Sequence, residues 1–207
     1  MIRYLLQYPD KLYFSLLEHV ELVFITMFFS LLIAFVLTVF SVKYRVFGNV
    51  MMEIFSLIYA IPSLALFALL IPISGLGMTT AVIVLTIYNQ YLLLRSFLNG
   101  IDNINPSIIE AAKGIGMKDW EILKLIQIPL AKKSIFASIK LAIISTVGIG
   151  VIASSINAGG LGDILFDGLR TLNTDKILWG SFLSASLAIG LNEILKCLEK
   201  YMEKTKV

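Results

Sequence analysis

One cysteine and one histidine are all that 207 residues provide. Cys197 therefore has no partner for an internal disulfide, and with His19 it is too little to build a multi-ligand zinc site. Charge is scarce as well, at 15% of the chain where soluble domains carry about a quarter. The chain has no Gly-x-x-x-x-Gly-Lys-Ser/Thr phosphate loop, so no ATP hydrolysis is expected of it, and no other catalytic constellation emerges. Its basic residues lack the interleaved exposed aromatics of a strand-binding groove, which argues against a nucleic-acid partner.

What is abundant is hydrocarbon: 58% of the residues are apolar and the mean hydropathy is +0.89. Apolar runs of about the 20 residues that cross a bilayer as helix fall at 20–42, 50–71, 79–98, 135–156 and 177–198. Lipid offers backbone amides no partner, and the runs lack the short alternation of a barrel. The expectation is an all-α polytopic membrane protein with five spans forming one domain over 1–207. The first run follows a polar stretch and has no small-residue cleavage site, so it reads as a retained span.

Lysine and arginine gather on the cytoplasmic side of inserted helices. One face would carry Lys43, Arg45, Arg95, Lys113, Lys118, Lys124, Lys132, Lys133, Lys196, Lys200, Lys204 and Lys206, the other Arg3, Lys11, Arg170 and Lys176. That count puts the N-terminus outside and the C-terminus inside. Cys197 would then be an inert packing residue near the cytoplasmic face. His19 would sit at the outer interface against a headgroup or carboxylate.

The loop between the third and fourth runs is the long cytoplasmic segment. Asn105-Pro106 is a helix-start signal, with Ser107 and Glu110 as an alternative capping box. Gly114 and Gly116 can stop the helix; a second begins near Asp119, carries Trp120 on one face, and is expected to end at Pro129. Two short helices on a glycine turn, over about 105–130, would lie across the cytoplasmic mouth. An amphipathic hairpin anchored in headgroups is the alternative.

Inside the second run Pro62 should kink the helix and free a carbonyl for Ser63 or a neighbouring helix to satisfy. Such a kink either lines a path or merely packs. Tyr88, Asn89, Ser145 and Thr146 are polar within spans and are candidates for a translocation path. Tyr88 can offer a ring to a quaternary ammonium or a hydroxyl to another helix. Gly159, Gly160 and Gly162 suggest a sharp turn at the outer face, either a plain turn or a gate, beside an amphipathic piece from Asp163 to Leu169.

Glu110-Ala111-Ala112, with Gly114 and Gly116 after it and Ile128-Pro129 beyond, resembles the coupling motif of permease subunits in bacterial type I ATP-binding-cassette (ABC) importers. Ala60-Ile61-Pro62-Ser63-Leu64-Ala65 and Asn157-Ala158-Gly159-Gly160-Leu161-Gly162 look like the permeases for glycine betaine, carnitine and choline. Lys118 and Asp119 stand where that family often has Thr-Pro, and Gln127 where an acidic residue is common. The resemblance implies that Glu110, Ala111, Ala112, Gly114, Gly116, Trp120, Ile128 and Pro129 dock into a groove on an ATPase. It further implies two ATPase copies holding ATP and Mg, a second permease copy, identical or homologous, and a separate extracytoplasmic binding protein. A permease for methionine or another amino acid, and a non-ABC carrier or scaffold, are the alternatives.

Overall fold

Pro9 opens a helix that continues to Lys43, because a proline in the first turn forfeits only an amide that had no partner. The computed structural model describes residues 2–204, with side chains for 4–202. Lys206 of the charge count lies outside the described residues, as do the side chains of Arg3 and Lys204. The elements are α1 (Ile2–Gln7), α2 (Pro9–Lys43), α3 (Arg45–Tyr59), α4 (Ser63–Ser74), α5 (Met78–Asp102), α6 (Pro106–Gly114), α7 (Asp119–Ile122), α8 (Ile128–Ala153), α9 (Leu161–Arg170) and α10 (Thr174–Lys204). A π-helical turn, Leu123–Gln127, joins α7 to α8, and a 3-10 turn, Ser154–Ile156, follows α8. Among the described residues there is no strand. Among the described residues four helices are long and apolar enough to cross a membrane, and there are five spans if α3 and α4 count as one broken span.

Three boundaries depart from expectation. The helix of the first span begins ahead of its apolar run, in the polar stretch: α2 has 35 residues, about 50 Å at 1.5 Å per residue against a hydrocarbon core of about 30 Å. Its polar turns lie beyond that thickness, where Lys11 meets Asp167 of α9 at 3.5 Å. The run 50–71 is broken outright, α3 and α4 being bent by 102°. Pro129 does not end a helix: the amide of Ile128 bonds back five residues to the Leu123 carbonyl. That wider π turn admits a proline whose ring would clash with an α-helical carbonyl, and Asp119–Ile156 runs on as one helix of 38 residues.

α5 packs between α2 and α8 and is the most enclosed span, 56% of its apolar window being buried against 6% for α10. Leu22, Phe67, Val84 and Leu85 fill one part of the core, and Val23, Met27, Leu93 and Val147 another. At the end nearest α6, Ile101, Leu123 and Ala131 pack with Val39 and Val42 and fix the loop to the bundle. α10 rests on α9 and α8, where Lys140 and Glu199 pair at 2.7 Å with a fifth of each side chain exposed. With so little cover on α10, Cys197 is exposed and not packed as expected.

Candidate functional site

Asn105 caps α6, its Oδ1 accepting from the amide of Ser107 at 3.0 Å, while Pro106 takes the first helical position. The Asn-Pro start therefore prevails over the Ser107–Glu110 box. At the other end the Gly116 amide donates to Lys113 at 2.9 Å, and the Met117 amide donates to Ala112 at 3.1 Å. These are the paired bonds of a Schellman turn, with Gly116 in the left-handed position at φ +86°. Gly114 is only the last helical residue, with open space around it. The next helix starts where Glu121 accepts from the Lys118 amide at 2.7 Å.

The turn sorts the residues of the hairpin. Ala112 is buried, whereas Glu110 and Ala111 are exposed, as are Ile115 at 81% and Trp120 at 52%. Ile128 and Pro129 are half-buried in the continuous helix behind. A cleft of about 580 Å³ separates the hairpin from the α2–α3 junction, lined among others by Val39, Ile109, Trp120, Lys43 and Lys113.

At the α3–α4 break the Tyr88 hydroxyl donates to the Ile61 carbonyl, so α5 supplies the partner that the broken backbone needs. Ser63 makes no cap bond and is half-buried, and Pro62 is exposed. Tyr59 stands edge-on to Tyr88 at 5.5 Å and inclined over Tyr91 at 4.8 Å and 30°. Tyr91 in turn accepts from Arg95 at 2.6 Å, and that guanidinium lies 5.6 Å from the ring centroid.

The glycine run is a close-contact step. Gly159 and Gly160 have φ of +78° and +86°, and the Gly160 amide donates to Glu18 at 2.9 Å. A Cβ on Gly162 would fall 2.1 Å from the Val151 carbonyl. α9 thus begins pressed against both α2 and α8. His19 is fully buried here, its Nε2 donating to the Val147 carbonyl at 3.1 Å. It faces neither headgroup nor carboxylate, because the glycines bring backbone in over it. On α9, partial burial and then the Glu18 charge raise the Asp163 carboxyl above its usual range, while the Lys176 hydrogen bond holds Asp167 below it.

The family model described as "binding-protein-dependent transport system inner membrane component" matches residues 26–206. The chain belongs to that family. Among relatives of this permease are the carnitine transport permease protein OpuCD of Listeria monocytogenes, 34% identical over 179 residues (86% of this chain, 80% of the relative), and the glycine betaine/carnitine/choline transport system permease protein OpuCB of Bacillus subtilis, 31% identical over 200 residues (97% and 92%). The osmoprotectant import permease protein OsmW of Salmonella typhimurium is 30% identical over 203 residues (96% and 94%). A solved inward-facing MetNI methionine ABC transporter superposes with a TM-score of 0.75 at 19% identity, covering 91% of this chain and 96% of its own. The fold is the type I ABC permease fold.

The permease holds its anticipated residues in four separate places: the hairpin, the break with its tyrosines, the glycine step at the opposite end of α8, and the α2–α5–α8 core. Asn89 and Thr146 are sealed inside the subunit. Asn89 Nδ2 donates to Ser30 at 3.1 Å and to Thr146 at 2.9 Å, tying α2, α5 and α8 together. Ser145 is half-buried beside them. Gln90, polar and next to Asn89 in the same span, donates to the Ser30 carbonyl at 3.2 Å, and the charge count left out Lys140, a cation within the fourth apolar run. It counted Arg95 only as a surface charge. Tyr91, Arg95, Asn99 and Asp102 share one face of α5 at helical spacing, with Arg95, Asn99 and Asp102 exposed and Tyr91 half-buried. That periodicity was the available signal.

Proposed function

We propose that this permease is the membrane-spanning subunit of an ATP-driven importer for quaternary ammonium compounds such as glycine betaine, carnitine or choline. The substrate reading is supported by relatives at 30–34% identity that carry those names along most of the chain. The methionine alternative has for support a solved structure at 19% identity, which speaks to fold.

The observation that carries the coupling role is the hairpin. A short helix closed by a Schellman turn presents Glu110, Ala111, Ile115 and Trp120 outward while Ala112, Ile122 and Leu123 anchor it on the bundle. An exposed apolar tip on a rigid support suits docking to another subunit, and a docked helix transmits rigid-body motion. Two copies of a separate ATPase would bind ATP and Mg, a second permease copy, identical or homologous, would complete the path, and an extracytoplasmic protein would deliver substrate. The chain itself is read as non-enzymatic. The lysine and arginine distribution supports an N-terminus outside and a C-terminus inside.

The test is co-purification with the ATPase, followed by ATP-dependent uptake of labelled glycine betaine, carnitine, choline and methionine in proteoliposomes. Uptake of methionine alone overturns the substrate. A chain that is stable without any nucleotide-binding partner overturns the coupling role.

A further inference from the structure

Resting on the quaternary ammonium reading, we infer that Tyr59, Tyr91 and Arg95 form a transit site for zwitterions, with the rings taking the ammonium end and the guanidinium taking the carboxylate.

Depth is the first argument. Arg45 and Asp102 pair at the hairpin ends of α3 and α5, and the two helices run away from that pair together. Tyr59 is 14 residues from Arg45 and Tyr91 is 11 from Asp102, about 21 Å and about 16 Å along the helices at 1.5 Å per residue. In a hydrocarbon core of about 30 Å the stacked rings lie near mid-depth. Arg95, seven residues from Asp102, is about 10 Å in.

Facing is the second. Arg95 is exposed, and among the described residues no carboxylate pairs with it. Its partner is the Tyr91 hydroxyl. An exposed arginine at that depth, on the same helix face as Asn99 and Asp102, is costly against lipid and favours polar, water-accessible surroundings such as a passage. The stripe also adjoins the break between α3 and α4, where Tyr88 holds the Ile61 carbonyl.

Chemistry is the third. A quaternary ammonium has no N–H to donate and is recognised through aromatic faces, and the Tyr91 face already has a cation within 5.6 Å. A planar guanidinium is the matched partner of a carboxylate. An arriving zwitterion can displace the guanidinium from the ring and receive it on its own carboxylate. Because Arg95 competes for the ring, the site stays weak enough to release what it holds, as a path requires. Choline, lacking a carboxylate, uses the rings alone.

The experiment is uptake by the complete reconstituted importer. Arg95→Gln is expected to lower glycine betaine and carnitine uptake about 10-fold or more, the loss of a charge-assisted bond, while choline uptake falls less than about two-fold. Arg95→Lys, which keeps the charge without the fork, falls between. Tyr91→Leu lowers all three substrates, whereas Tyr91→Phe retains them. If the parent carries no choline, the readout is carnitine uptake by Arg95→Lys over Arg95→Gln, expected at about five-fold or more. Equal losses across substrates, equal Lys and Gln variants, or no loss at all overturn the site while leaving the importer reading intact. A parent complex that carries none of the three overturns the substrate reading, and the site with it.

Discussion

His19 and Gly160 are in such close contact that a Cβ on the glycine would stand 2.8 Å from the imidazole Nδ1. The other side of the ring meets Gly150, where an added Cβ would lie 3.2 Å away. Gly160→Ala is therefore strained twice. At φ +86° and ψ −166° the backbone lies in a region essentially reserved for glycine, which costs another residue about 1–3 kcal/mol, and overpacking costs about 1–3 kcal/mol. A lowered melting temperature of the purified protein is expected, and adding His19→Ala should recover the packing part but not the backbone part. A variant that melts like its parent sinks the account.

Gly116 and Gly114 separate in the same way, by backbone angle. Gly116 is left-handed at φ +86°, so Gly116→Val should distort the Schellman turn and uncouple ATP hydrolysis from uptake. Gly114 is helical and has space, so Gly114→Ala should be tolerated and gain about 0.5–1 kcal/mol. The ratio of substrate taken up to ATP hydrolysed, measured for each variant, decides it. Equal ratios for both variants would remove the turn from the coupling argument.

Tyr88→Phe keeps the ring contact with Tyr59 but strips the hydrogen bond from the Ile61 carbonyl. An unsatisfied, half-buried carbonyl costs about 1–3 kcal/mol. Hydrogen exchange should accelerate in the segment that contains Ala60 and Ile61 while the centre of α8 stays protected. Uniform acceleration, or none, would show that the break does not depend on this donor.

Much of this architecture was readable because two strong periodicities write it: apolar runs long enough for a bilayer, and cap residues around α6. What escaped reading depended on partners distant in sequence. Nothing near His19 announces that glycines 131 and 141 positions away will enclose it, and Pro62 alone cannot say whether a helix kinks or breaks until Tyr88 is known to satisfy the break. Pro129 looked like a terminator because a π turn leaves no signature in composition. Lys140 disappeared inside an apolar run whose counter-ion, Glu199, is 59 positions away. The two helices on a glycine turn were legible as a pattern, yet which of the glycines carries the turn became plain only from φ.

Lys140 and Glu199 offer a double-mutant cycle. Both side chains keep about a fifth of their exposure, so removing one partner should cost less than the 3–5 kcal/mol of a fully buried pair, about 1–3 kcal/mol. Lys140→Met leaves Glu199 uncompensated beside hydrocarbon, and Glu199→Met does the converse. The double variant should return close to the parent, since two apolar side chains can replace the pair in place. Strictly additive melting shifts would mean that the two charges do not sense each other.

Asp163 and Asp167, four residues apart on α9, should give opposite pH signatures. Lys176 first, and Lys11 after it, hold the Asp167 carboxyl below its usual 3.8. Its ionised form thus stabilises the fold above that value, and the contribution is lost as pH falls through the lowered folded-state value. Asp163 is raised above 3.8 by partial burial and by Glu18, so its ionised form opposes folding at neutral pH and that opposition lifts as pH falls through the raised value. Asp167→Asn should melt below the parent at pH 7 and converge with it only in strong acid. Asp163→Asn should melt above the parent at pH 7 and converge sooner, as the parent's own carboxyl takes up its proton. Melting differences recorded from pH 8 to about pH 3 test both signs against the reference range of carboxylates. Two curves of the same sign would mean that Glu18 and Lys176 do not divide the charge on α9 as their positions require.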